Sequence, residues 1–102
     1  MKIVYLTLLA VVLIGCRTAS LTYSGGDGSS YAEAIVIKGA RNEPAGMAAE
    51  RAWLEQRYPG FDKSRQWLMS SHGKNFDVIE FTTARGEHRS VYFDISHFFG
   101  KW

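Results

Sequence analysis

The 102-residue chain has one cysteine, two prolines and a formal net charge of only +2, from twelve basic and ten acidic residues. A lone cysteine excludes an intramolecular disulfide. The charges are interspersed, which is the pattern of a solvated mixed surface and not of the clustered basic face that nucleic acid requires. The longest apolar run, residues 3–14, is interrupted only by Thr7. It is too short to cross a hydrocarbon core of about 30 Å. His72, His88 and His97 are the only histidines. No two of them have a metal-ligand spacing. There is no G-x-S-x-G elbow, no glycine-rich phosphate loop with its lysine, and no internal repeat. Neither a cofactor nor a metal is expected.

What the chain does have is an ordered beginning. Lys2 gives a short positive region, and the apolar run follows it. This is the layout of a secretory signal peptide. The run closes on Leu13-Ile14-Gly15-Cys16. A small residue at position 15 fits a narrow peptidase subsite, and only a cysteine offers the thiol nucleophile that accepts a lipid. The segment resembles the lipobox of bacterial lipoproteins. The resemblance implies cleavage between Gly15 and Cys16, with residues 1–15 removed as a signal peptide. Cys16 would then be the mature N-terminus, carrying diacylglyceryl and palmitate-type acyl chains. The competing reading, a buried helical cysteine, does not account for the complete targeting segment before it. Two or more acyl chains anchor a protein stably, where one does so only marginally. By resemblance to Gram-negative sorting, Arg17 in place of an aspartate implies the outer membrane, facing the periplasm.

Removal of residues 1–15 leaves 87 residues with a formal charge of +1, since Lys2 is the only charged residue lost. That length is one small domain. Residues 16–30 are expected to be the lipidated cysteine and a flexible linker, because 17–30 are small, polar and glycine-rich. The stretch Gly26-Asp27-Gly28-Ser29-Ser30 carries too few oxygen ligands for calcium, so a turn is expected there. The domain is expected over residues 31–102.

Within it, consecutive Ile35, Val36 and Ile37 predict a strand ending at Gly39. Asn42 is a good N-cap and Pro44 suits a first turn. A helix is expected over about 43–58, with Met47, Trp53, Leu54 and Tyr58 inward and Glu50, Arg51, Glu55 and Arg57 toward water. Strands are expected at 64–70, 76–83 and 88–95, separated by turns at Gly73 and Gly86. The order is β-α-β-β-β, a single small α+β domain with one helix packed on an antiparallel sheet.

The blocks GDGSS (26–30), AIVIKGA (34–40), AERAWLEQRYPG (49–60) and YFDISHFFGK (92–101) resemble a family of small bacterial proteins with no assigned activity. The resemblance implies domain boundaries and no catalytic residue.

Chemistry-bearing residues are few. Asp94 and His97 near Ser90 or Ser96 would be the acid and base of a small hydrolase, although a turn aspartate and a surface histidine are the plainer reading. Glu80 sits among apolar strand residues and is expected to be solvated or in a salt bridge. Phe98, Phe99 and Trp102 crowd residues 96–102 and either close the core or form an exposed patch. Three functions compete. The first is a non-enzymatic module that binds an unidentified protein, of which an inhibitor or immunity type is a special case. Its candidate contact residues are Tyr92, Phe98, Phe99 and Trp102, with Phe81 if it lies on the open face. The second is the Asp94–His97 hydrolase. The third is a carrier of a small apolar ligand between helix and sheet.

Overall fold

The computed structural model describes residues 20–102. The expected signal peptide, Gly15 and Cys16 lie outside the described residues. No helix among the described residues is long and apolar enough to cross a membrane.

The fold is α+β, with one helix and a five-stranded sheet. The elements are β1 (Thr22–Gly25), β2 (Ile35–Lys38), α1 (Glu43–Arg57), β3 (Asp62–Ser71), β4 (Lys74–Thr82) and β5 (His88–Asp94). Spatial order is β1-β2-β5-β4-β3. The helix and the four strands anticipated from hydrophobic patterning are present. Two features differ from expectation. Residues 22–25, expected in the linker, form β1 and pair antiparallel with β2. The sheet is mixed, because β2 lies parallel to β5, with Ile35 opposite Phe93.

β1 is held by its tyrosine. Tyr23 packs against the core, and its hydroxyl donates to the Ala49 carbonyl at 2.7 Å. The GDGSS stretch that follows is a packed turn. Asp27 Oδ1 accepts from the Ser29 N–H and hydroxyl, and the Tyr92 N–H donates to the Gly28 carbonyl. The Ser29 hydroxyl, and then its N–H, hold the Asp27 carboxyl below its ordinary pKa. Gly28 has φ +86°, and a Cβ there would sit 2.8 Å from Ile35 and Val91 side-chain atoms. Only glycine fits both the backbone and the space.

α1 starts as the sequence predicts. Asn42 is the N-cap, and its Oδ1 accepts from the Ala45 N–H at 3.0 Å. Its inward stripe is Gly46, Ala49, Glu50, Trp53 and Leu54, spaced i, i+3, i+4, i+7, i+8. Two expectations are corrected here: Met47 is exposed, and Glu50 is buried. The reason is close approach. Phe98 lies directly against Gly46, so the first turns of the helix meet the sheet through small residues. Met47 is left on the shoulder.

The core lies between α1 and one sheet face. Strand alternation puts Ile35, Ile37, Ile79, Phe81, Val91 and Phe93 on that face, where Leu54 and Phe98 close over them. Trp53 meets Phe93 edge-on at 5.6 Å between ring centres. On the opposite face Tyr31 stacks edge-on with Phe76 at 5.1 Å and with Tyr92 at 4.7 Å.

Candidate functional site

The most unusual chemistry sits where α1 crosses β4. Glu50 is 2% exposed and Asp77 is 3% exposed. Alternation along β4 puts Asp77 on the same face as Ile79 and Phe81, under the helix. The two carboxyl groups lie close enough that Asp77 raises the Glu50 pKa. Gln66 of β3 donates from Nε2 to Asp77 Oδ2 at 2.6 Å. Glu50 Oε2 and Asp77 Oδ1 are buried, and no donor among the described residues reaches them.

Two carboxylates in contact and out of water cannot both be ionised. A single retained proton supplies the missing donor. Burial chiefly, then the hydrogen bond with Asp77, then the negative charges of Asp77 and Glu43, push the Glu50 carboxyl up to about 10. Lys63 acts in the opposite direction. An acid this weak releases its proton too reluctantly for general acid–base work near pH 7. Its chemical role is that of a neutral latch joining helix, β4 and β3.

A groove of about 500 Å³ opens above this latch. Met47, Trp67, Leu68, Phe99 and Trp102 line its rim. One wall is β3, an edge strand of the sheet, so among the described residues its outer N–H and C=O groups have no strand partner. The two halves of β3 differ. Residues 62–65 carry Asp62, Lys63 and Arg65, and a register shift falls between Lys63 and Arg65. Charges and bulges are the usual protection of a free edge. Arg65 pairs with Glu80 at 3.2 Å and lies over the Trp67 ring. The ion pair is the plain reading of Glu80 realised. Residues 66–71, QWLMSS, carry no charge. Within them Leu68 is 59% exposed and Met69 is 43% exposed.

The expected contact residues are not one patch. Phe98 is buried in the core and offers no surface. Tyr92 is half-buried beneath Tyr31. Phe81 lies on the covered face and is buried. Phe99 is exposed, and Trp102 is 83% exposed. Asp94 is buried, and its Oδ1 accepts from the Ser96 N–H at 3.0 Å while Lys74 approaches Oδ2 at 4.0 Å. His97 is exposed, and no hydrogen bond joins it to Asp94 among the described residues. The other histidines are far apart: His72 sits in the β3–β4 turn and His88 opens β5 at the opposite end of the sheet. No protein-family model, curated protein or solved structure matches the chain.

Proposed function

We propose that this protein is a lipid-anchored envelope protein that acts by contact, with no catalytic step of its own. A lipidated Cys16 is the anchor. The partner is a protein that lays an extended segment along the uncharged half of β3. The observation that carries this reading is the contrast within that edge. Its first half is guarded by three charges and a register shift, while Gln66 to Ser71 present free backbone groups beside exposed Leu68 and Met69. Strand addition uses both features: main-chain bonds supply affinity, and alternate side chains enter flanking pockets. The adjoining apolar groove is such a pocket. The Glu50–Asp77–Gln66 latch supports the site from below by fixing β3 to the sheet and helix.

The test is a photo-crosslinking residue at position 68 in the full chain, made in the bacterium from which the sequence comes. One discrete adduct is expected, with a single protein identified in it. Met69→Asp in the same chain should abolish that adduct at unchanged thermal stability. The same probe at Arg85, in the β4–β5 turn, should give none. Equal labelling from both positions would remove the support for a contact at β3.

A further inference from the structure

The strand directions bring several features to one end of the domain. β1 begins at Thr22 opposite Lys38, the last residue of β2. Ser20 lies against Gly39 just beyond. β5 ends at Asp94, opposite Phe76 near the start of β4 at Lys74, and α1 begins near the same end with Glu43. The segment after β5 folds onto that helix start: the Gly100 N–H donates to Glu43 Oε2 at 2.8 Å, and the Glu43 N–H donates to the Lys101 carbonyl at 2.6 Å. The end from which the chain leaves toward Cys16 is therefore the end that carries Trp102.

The chemistry of this end is one-sided. Lys38, Arg41 and Lys101 are exposed there. Of the acids near that end, Glu43 accepts from the Gly100 N–H, Asp94 is buried with Lys74 at 4.0 Å, and Asp77 is buried beneath the helix with Glu50. The exposed apolar side chains of this end are Leu21, 44% exposed, just before β1, and Phe99 and Trp102 beside the groove on the β3 side. Tryptophan at the rim of an apolar surface is the side chain best suited to a headgroup boundary. Lysine and arginine beside it favour an anionic leaflet.

The spacing to the anchor is short. Four residue steps separate Cys16 from Ser20, a reach of at most about 14 Å when fully extended. An acylated Cys16 would hold this end against the bilayer and not on a long tether.

We infer that this end is a membrane-contacting face: Leu21, Phe99 and Trp102 enter the lipid–water boundary while Lys38, Arg41 and Lys101 meet anionic headgroups. The inference rests on the proposed lipid anchor for the way the face is brought to the bilayer. Phe99 and Trp102 also border the groove beside Leu68, so this face adjoins the uncharged half of β3.

The experiment uses the full protein purified from its bacterium, its intact mass recorded, in vesicles of phosphatidylcholine and phosphatidylglycerol with brominated acyl chains. Bromine quenches indole fluorescence only at short range. Wild-type emission should be quenched, and Trp102→Phe should lose most of that quenching, because Trp53 packs against the core and Trp67 is half-buried beneath Arg65. Lys38→Glu with Lys101→Glu should reduce quenching in the anionic vesicles and remove its dependence on phosphatidylglycerol. If the mass shows no acyl group, the anchor fails by itself; the face still stands if the unlipidated protein binds these vesicles with Trp102 quenched. Quenching that is absent in wild type, or unchanged by Trp102→Phe, overturns the face whether or not the anchor is present.

Discussion

Glu50 holds a proton in the folded protein that it would lose in the unfolded chain at neutral pH. The ordinary carboxyl pKa of 4.5 applies when the chain is open, and about 10 applies when Glu50 is buried against Asp77. The folded state therefore binds the extra proton between these values. Its contribution to stability is fully present below about pH 4.5 and is lost as pH rises toward 10. The slope from this one group is about 1.4 kcal/mol per pH unit. Glu50→Gln keeps a donor toward Asp77 and has nothing to titrate. Relative to wild type, it should gain about 3 kcal/mol between pH 4.5 and pH 7. Urea unfolding at both values measures this; a difference that does not change with pH would contradict the shared proton. Neither member of the pair was legible as a site. On the helix, Glu50 stands among Glu55, Arg51 and Arg57 and looks like one more solvated residue. Asp77 did carry a signal, because it is an acid on the strand face that also bears Ile79 and Phe81. Read alone, that signal has no partner, since the helix register that brings Glu50 over it is set by Phe98 against Gly46.

The elements follow closely from local chemistry, and the packing between them follows less closely. Asn42 caps α1 as its amide requires, and the alternation of Val91, Phe93 and Ile95 sets the covered face of β5 and the chain just beyond it. Leu54 reaches the core as its spacing predicts. Leu54→Ala should cost about 2–5 kcal/mol in chemical unfolding, the range for emptying a buried leucine site. A cost under about 0.5 kcal/mol would mean that the helix stripe is misassigned. Gly46→Ala ordinarily strengthens a helix by about 1 kcal/mol. Here the new methyl would meet the Phe98 ring, so it should lower stability instead, and Phe98→Leu in the same chain should recover part of the loss. Two elements were missed for physical reasons. β1 is four residues long and mostly exposed, so TYSG shows no core pattern beyond Tyr23. The parallel pairing of β2 with β5 joins strands far apart in sequence, and nothing within either strand encodes it.

At the scale of the whole molecule, the strand order gives the domain two adjoining exposed regions, which share Phe99 and Trp102. The uncharged half of β3 is a free edge beside an apolar groove. The end carrying Ser20, Lys38, Arg41 and Trp102 is cationic with apolar tips. Placing β1 at residues 22–25 shortens the expected linker, so any anchor at Cys16 acts close to the fold. Both proposed contacts depend on where the protein is held. The most direct measurement is the intact mass of the protein made in a bacterium that processes lipoproteins, with the same measurement on Cys16→Ser. The account predicts loss of residues 1–15 together with added acyl mass on Cys16, and an uncut or unlipidated product from Cys16→Ser. A wild-type product that retains Met1, or one cut elsewhere with a free Cys16 thiol, would contradict it.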